Sequence, residues 1–325
     1  MSCSARHENK TVLDLRIMKN IAKPFVKWVG GKSQLIEQLE TLLPVNFSYR
    51  KEITYIEPFV GGGAMLFHML QKYSNIKYAV INDINPDLTT CYRIVRDNPS
   101  ELISTLKDIQ SEYYALPNEE VRKEFFLQKR EAFNTKTVGD IDNSALFLFL
   151  NRTCFNGLYR VNKAGKFNVP FGRYKTPTIC DEATIYADSN LLQRVEILTG
   201  DFEHTIKRVS GETFFYLDPP YKPLNATSNF NDYAKESFDD AEQIRLKKFC
   251  DKLNDMGVAF MLSNSDGMQG DIKDPFFDNL YIDYQIRRVL ASRSINSVGS
   301  KRGKLTEIVV GNQMRVINDL FSNIG

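Results

Sequence analysis

Residues 53–72 read ITYIEPFVGGGAMLFHMLQK, and this stretch decides the fold. A short β-branched and aromatic run is followed by a glycine-rich loop and then by apolar residues at helical spacing. This order predicts a strand over 53–57, a loop over 58–63 and a helix over 64–72. Residues 78–83, YAVIND, predict a second buried strand that ends in the carboxylate of Asp83. The two strands indicate a doubly wound, Rossmann-like α/β sheet.

Strand signals resume late in the chain and complete the sheet. Apolar and β-branched runs predict strands at 195–198, 213–217, 258–262, 280–284 and 305–310. A helix is predicted over 33–43, and long amphipathic helical stretches fill the middle of the chain. We therefore expect a flexible extension (1–20), an α/β domain formed by 21–86 and 185–325, and an inserted, mainly helical domain (87–184).

The composition is that of an ordinary globular protein, with 325 residues of which 42% are hydrophobic and 25% charged. The net charge of +2 means that any nucleic-acid surface must concentrate its positive charge locally. The 5 cysteines and 3 histidines are scattered, without C-x-x-C or a paired histidine motif. No run is long and apolar enough for a membrane span. We expect a cytoplasmic monomer without a bound metal.

Residues 213–221, TFFYLDPPY, carry the chemistry. An apolar strand delivers Asp218 at its carboxyl end, and Pro219 and Pro220 stiffen the turn that follows. The ring of Tyr221 can stack on a planar base, while the Asp218 carboxylate and the Pro219 carbonyl can accept hydrogen bonds from an exocyclic amino group. Two such acceptors help the delocalised lone pair of an aryl amine to attack an activated methyl carbon. The motif therefore predicts methylation of a base amine.

The sequence does not fit two other nucleotide-binding motifs that contain glycine, the dinucleotide motif of dehydrogenases and the P-loop of NTPases. The glycine loop departs from the G-x-G-x-x-G spacing of a nicotinamide enzyme. Gly31-Lys32-Ser33 resembles the end of a P-loop, but Val26 stands where that motif needs glycine. The alternative for this segment alone is a helix start with a solvated lysine.

Residues 144–180 favour contact with nucleic acid because they contain basic and aromatic side chains and not one Asp or Glu. Basic groups bind phosphates and can bind guanine edges, and aromatic rings can fill a gap in a base stack or line a core. A second basic segment, 287–304, could approach DNA from the other side.

Several motifs together resemble the Dam-type DNA adenine methyltransferases over most of the chain. They are Lys27–Lys32, Glu57–Gly63, Asn82–Asp83, Asn156–Arg160, 167–174 (FNVPFGRY), 200–202 (GDF), Asp218–Tyr221 and 262–265 (LSNS). The resemblance implies that S-adenosyl-L-methionine is the methyl donor and that N6 of a flipped adenine in double-stranded DNA, within GATC, is the acceptor.

The resemblance also implies residue roles. Catalytic roles fall on Asp218, Pro219, Pro220 and Tyr221. Cofactor contacts fall on Trp28, Lys32, Glu57, Pro58, Phe59, Gly61, Gly63, Asp83, Asp201, Phe202 and Asp218, with Asp201 and Phe202 at the adenine ring of the cofactor. DNA contacts fall on Lys27, Phe155, Asn156, Leu158, Arg160, Arg173 and Tyr174, with Phe155 or Leu158 entering the base stack.

Alternatives to this function stay open on the sequence. The acceptor could be cytosine N4, an RNA base or a protein glutamine, although enzymes of the last kind tend to carry N-P-P-Y instead of the motif at Asp218. A protein that binds DNA and holds the cofactor without catalysis is a further alternative. The motifs fit both a restriction-modification enzyme and a solitary methyltransferase.

Overall fold

The computed structural model describes residues 21–221, 238–266, 268–269, 272–291 and 305–316. The predicted flexible extension, 1–20, lies outside the described residues, as do residues 292–304 of the second basic segment.

A seven-stranded sheet forms the centre of the protein. Its strands are β1 (Ile53–Glu57), β2 (Ile76–Asp83), β3 (Val195–Thr199), β4 (Glu212–Leu217), β5 (Ala259–Ser265), β8 (Gln285–Ala291) and β9 (Leu305–Gly311). Their order is β3-β2-β1-β4-β5-β9-β8. The first five strands in this order, β3, β2, β1, β4 and β5, are parallel, whereas β9 is antiparallel to both β5 and β8. The short strands β6 (Met268–Gln269) and β7 (Ile272–Lys273) pair separately. The predicted doubly wound α/β sheet is confirmed.

The helices cover both faces of the sheet. They are α1 (Ile36–Thr41), α2 (Ala64–Lys72), α3 (Pro86–Asp97), α4 (Pro99–Ala115), α5 (Glu119–Thr135), α6 (Asp140–Thr153), α7 (Glu182–Leu192), α8 (Asp240–Asp255) and α9 (Phe276–Leu280). Short 3₁₀ helices occur at Phe47–Tyr49, Phe155–Gly157 and Phe202–Arg208.

Side chains alternate along each strand between two hydrophobic cores, because successive residues of a strand point to opposite faces. Phe214 and Tyr216 pack into the core beneath α1 and α2, and this core continues into the helices between β2 and β3. Phe215 and Leu217 pack into the opposite core, against Phe249 of α8. Burial on both faces explains why these parallel strands are almost uniformly apolar.

The segment between β2 and β3 is helical, as expected. Helix α6 is its centre: it buries most of its residues and packs against α3, α4 and α5. The expected domain borders fall at the start of α3 and within α7. The division into an α/β domain and a recognition domain stays a prediction.

Two sequence predictions differ from the structure. The strand predicted at 280–284 is wrong, because these residues form the end of α9 and a turn, and the strand runs over Gln285–Ala291. Tyr281 is buried and Tyr284 donates to Asp251 Oδ1 at 2.6 Å, so burial of tyrosines in a turn produced the strand-like pattern. The helix predicted over 33–43 is shorter, Ile36–Thr41.

Candidate active site

The sheet topology brings two loops together at one point. The chain leaves β1 toward β2 on one side and returns to β4 on the other, so the carboxyl ends of β1 and β4 lie side by side. Ligands of open α/β sheets bind at such a switch point. A cavity of about 1600 Å³ opens there. Pockets for one small ligand measure about 300–1000 Å³, so this cavity has room for two.

All residues that the sequence assigns to the cofactor or to catalysis line this one cavity. They are Trp28, Lys32, Glu57, Pro58, Phe59, Gly61, Gly63, Asp83, Asp201, Phe202, Asp218, Pro219, Pro220 and Tyr221. Lys27 also lines it, whereas the other predicted DNA contacts lie outside it.

The glycine loop after β1 is packed against Trp28 and held by Asp83. The Gly61 N–H donates to Asp83 Oδ2 at 3.1 Å, and the Asn85 N–H donates to Asp83 Oδ1 at 2.9 Å. Gly61 has φ +48°, and a Cβ added there would lie 2.8 Å from the Trp28 indole. The loop is therefore a cradle that only glycine leaves open.

A buried cluster of charges surrounds the carboxyl end of β4. Lys32 Nζ lies 2.8 Å from Asp218 Oδ1 and 3.3 Å from Glu307 Oε2, and it also donates to the Tyr221 hydroxyl. The Lys32 side chain is only 4% exposed. Ser263 Oγ donates to Asp218 Oδ1 at 3.3 Å. The alternative of a solvated lysine at this position is thus wrong.

Burial controls the ionisation of the acids in the cavity. It raises the pKa of Asp218 to about 6, although the Lys32 ammonium counteracts this rise. Burial also raises the pKa of Glu57 well above its usual value, and the nearby Asp218 carboxylate adds to that shift. Near neutral pH Asp218 is therefore mostly an anion, whereas burial disfavours the charged form of Glu57.

Asp201 and Phe202 follow β3 and are held by a residue of α8. Arg245 pairs with both oxygens of Asp201, at 3.0 and 2.8 Å, and its guanidinium lies 4.3 Å from the centre of the Phe202 ring. Phe202 is only 3% exposed and packs 5.2 Å from Phe59, centre to centre. The arginine pair lowers the pKa of Asp201. The Asp201 carboxylate is therefore a fixed anion at the cavity wall.

A second cluster joins the cavity to the inserted segment. Asn151 Oδ1 accepts from the Lys27 N–H at 2.8 Å, and its Nδ2 donates to the Lys27 and Gly157 carbonyls at 2.9 and 3.0 Å. Lys27 Nζ lies 4.9 Å from the centre of the Tyr174 ring. The Tyr174 hydroxyl accepts from the Asn156 N–H at 3.1 Å. Lys27, Asn156 and Tyr174 therefore lie together.

The remaining predicted DNA contacts differ in exposure. Phe155 is 52% exposed, whereas Leu158 is half-buried and packs against the main core. Arg173 is exposed, with Nε 3.4 Å from Glu119 Oε1, and Arg160 Nε donates to Asn168 Oδ1 at 2.8 Å. Of the two residues proposed to enter the base stack, Phe155 is the one that already projects into solvent.

Sequence reasoning missed two residues of the cavity region. Glu307 is a lone acid in the apolar strand β9, a pattern that could have marked it. Arg245 lies in a helix rich in charged residues and has no distinguishing sequence signal. Arg288, expected in the second basic segment, is paired with Asp266 and Asp278.

The family follows from comparison with known sequences. A model of the D12 class N6 adenine-specific DNA methyltransferases matches residues 28–295. The chain belongs to this family. A type II methyltransferase of Methanocaldococcus jannaschii is 50% identical over 283 residues, which cover 86% of this chain and 95% of that protein. A type II methyltransferase of Lactococcus lactis subsp. cremoris is 38% identical over 295 residues, with 89% and 95% covered. A DNA adenine methylase of Haemophilus influenzae is 33% identical over 288 residues, with 88% and 92% covered.

As a member of this family, the protein is an adenine-specific DNA methyltransferase that uses S-adenosyl-L-methionine as methyl donor. The cavity fits that cofactor, because the glycine cradle beside Trp28 leaves backbone accessible and Asp83 offers an anchored carboxylate. Within the described ranges, no group of three or more His, Cys, Asp or Glu side chains is placed to hold a metal ion. In the same part of the chain, no helix has the length and apolar character to cross a membrane.

Proposed function

We propose that this methyltransferase modifies N6 of adenine within GATC in double-stranded DNA, and that the target base leaves the helix to enter the cavity. The supporting observation is the arrangement of one cavity: the glycine loop and Asp83 line one part, and Asp218 and Tyr221 line another. Enzymes that act on a base within a duplex turn it out of the stack to reach it, and this supports including a base-flipping step in the proposal.

Within the cavity, each residue has a separate task. The cofactor supplies a methyl group that its sulfonium makes electrophilic. The Asp218 carboxylate and the Pro219 carbonyl hold the two hydrogens of the amino group, which turns the nitrogen lone pair toward the methyl carbon. Tyr221 stacks on the purine. The nitrogen becomes positively charged as it gains the methyl group, and it then passes the proton held by Asp218 to that carboxylate.

The proposed cofactor contacts use the other part of the cavity. Asp83 accepts from ribose hydroxyls, and Asp201, held by Arg245, accepts from the cofactor's adenine amino group. Phe59 and Phe202 form the apolar wall between them. Trp28 and Lys32 flank the methionine part, and the remaining residues of the glycine loop, from Glu57 to Gly63, line the floor.

For DNA recognition we propose the inserted segment, 87–184, as the recognition domain of a monomeric enzyme. Exposed Arg160 and Arg173 contact the duplex, together with the cluster of Lys27, Asn156 and Tyr174. The exposed ring of Phe155 enters the gap that the flipped base leaves. The proposed GATC target rests on the similarity of 156–160 and 167–174 to the Dam-type pattern.

Sequencing that detects modified bases tests this proposal in one experiment. The purified protein is incubated with unmethylated plasmid DNA and S-adenosyl-L-methionine, and the DNA is then sequenced. The proposal predicts N6-methyladenine within GATC. N6-methyladenine in another motif would contradict the assigned target sequence, and N4-methylcytosine would contradict the assigned base. Unmodified DNA, from protein that is folded, would contradict the catalytic assignment.

A further inference from the structure

A second, largely buried carboxylate lies close to Asp218, in a strand that carries none of the family motifs. Glu307 belongs to β9, next to β5, with Ser265 as its register partner. Its side chain is 14% exposed, and Oε2 lies 3.3 Å from Lys32 Nζ. Burying a charge is costly unless it serves a purpose, so its presence here requires a reason.

Glu307 is not needed to neutralise Lys32. Lys32 Nζ already forms a tight ion pair with Asp218 Oδ1 at 2.8 Å, in a site where Lys32 is 4% exposed. With Lys32 and Asp218 alone, the buried group would carry no net charge. Adding Glu307 leaves one negative charge in excess, immediately beside the carboxylate that receives the target amine.

That excess charge matters because the methyl donor is a cation at its reacting sulfur. The Lys32–Asp218 pair alone has no net charge with which to attract a sulfonium, whereas the three groups together carry one negative charge. After methyl transfer the sulfur becomes a neutral thioether, and the attraction ends. Otherwise the donor and its product, S-adenosylhomocysteine, differ only by the transferred methyl group.

We propose that Glu307 is a positioning residue that makes the cofactor pocket prefer the sulfonium donor over its thioether product, because it gives the Lys32–Asp218 pair one negative charge in excess. This inference rests on the cofactor assignment made above. It also gives Glu307 a geometric role, since its contact with Lys32 helps to fix the ammonium against Asp218.

The other acids of the described cavity do not replace Glu307. Glu57 lines the cavity, but burial and the neighbouring Asp218 raise its pKa and so disfavour its charged form. Asp201 and Glu242 both pair with Arg245, and Asp87 pairs with Lys136. Asp83 is engaged by the backbone N–H groups of Gly61 and Asn85.

The ratio of two affinities isolates this effect. Every contact that the donor and the product share cancels when the dissociation constant of S-adenosylhomocysteine is divided by that of S-adenosyl-L-methionine. Calorimetric titration of the full chain gives both constants without turnover. The titration is done at pH 8, which is above the pKa of Asp218 of about 6. Glu307→Gln keeps the size of the side chain and an oxygen for Lys32, but removes the charge.

We expect Glu307→Gln to lower this ratio roughly tenfold, the size expected for one unit charge several ångström away in a partly polar site. Glu307→Ala, which removes the charge by truncation, is expected to give the same ratio. Glu307→Asp retains the charge and is expected to stay near the wild-type ratio. Glu196→Gln is the matched control, since it makes the same chemical change at an ion-paired glutamate that does not line the cavity, and its ratio is expected to stay near the wild-type value.

Three results would overturn the proposal. An unchanged ratio in Glu307→Gln or Glu307→Ala, with both affinities reduced alike, would show that Glu307 has only a structural role. An equal fall of the ratio in Glu196→Gln would show that the preference does not depend on the charge of Glu307. If the wild-type protein binds neither ligand, the cofactor assignment fails and this inference fails with it.

Discussion

Replacing Gly61 with alanine tests whether the glycine loop holds Trp28 in place. A Cβ added at Gly61 would lie 2.8 Å from Cδ1 and 3.0 Å from Nε1 of the indole. Carbon atoms in contact lie about 3.5–4.0 Å apart, so the indole must retreat by roughly 1 Å. Gly61 also has φ +48°, a left-handed conformation that costs a residue with a side chain about 1–2 kcal/mol.

Gly211→Ala is the matched control. Gly211 has φ +54°, but a Cβ added there meets nothing within 4 Å. Both variants are therefore expected to lose about 1–2 kcal/mol of stability, measured by denaturant unfolding. Gly61→Ala alone is expected to bind S-adenosyl-L-methionine more weakly, by about 10- to 100-fold, because a displacement of about 1 Å in a site can cost about 100-fold.

Trp28 is the single tryptophan of the chain, so its fluorescence reports on this site directly. Titration with the cofactor gives the dissociation constant, and the emission spectrum before titration shows whether the indole has moved. A Gly61→Ala protein with wild-type emission and wild-type affinity would refute the reasoning that this loop positions Trp28 for the cofactor. Equal loss of affinity in Gly211→Ala would refute it as well.

Three further predictions follow from single groups. Phe155→Ala is expected to weaken binding of target DNA, measured by fluorescence anisotropy, and to slow methylation at least several-fold, measured by tritium transfer. The melting temperature is expected to stay unchanged because the ring is 52% exposed. An unaltered methylation rate would contradict insertion of this ring into the base stack. Methylation is expected to fall as the pH drops through about 6, where Asp218 becomes protonated, so a pH–rate profile that is flat from pH 5 to 8 would contradict its role as a carboxylate acceptor. Burial raises the pKa of Asp188 to about 8, whereas its pKa in the unfolded chain is about 4. Its contribution to stability is therefore complete below about pH 4 and is lost as the pH rises through about 8. Asp188→Asn is expected to remove this pH dependence, so that from pH 5 to pH 8 its free energy of unfolding in urea rises by about 2–4 kcal/mol relative to the wild type. Parallel plots of unfolding free energy against pH for the two proteins would contradict the assignment.

The parts of the fold that rest on local pattern could be predicted from the sequence. The bounds of β1 and α2 were predicted correctly because a β-branched run, a glycine loop and a helical apolar stretch follow one another without a competing signal. The strand expected at 280–284 was wrong, because an apolar and aromatic turn that buries Tyr281 has the same residue types as a strand.

In the site, too, residues within a motif could be predicted from the sequence, whereas contacts between distant segments could not. Asp218 and Lys32 could be named from motifs, but the environment of Lys32 could not, because its partner Glu307 belongs to a distant strand that the sheet topology brings beside it. The clamp of Arg245 on Asp201 likewise depends on how α8 packs after β4. Contacts between segments far apart in the chain leave little trace in one sequence, whereas a motif within one loop is visible in it.

Mass spectrometry of nucleosides from treated DNA tests the central claim, that the Asp218 turn performs methyl transfer to adenine, most directly. Wild-type protein and Asp218→Ala are each incubated with unmethylated DNA and S-adenosyl-L-methionine, and the DNA is digested and quantified. We predict N6-methyldeoxyadenosine with the wild type and none with Asp218→Ala, which still binds the DNA weakly. Near-normal amounts of the methylated nucleoside from Asp218→Ala would contradict the account.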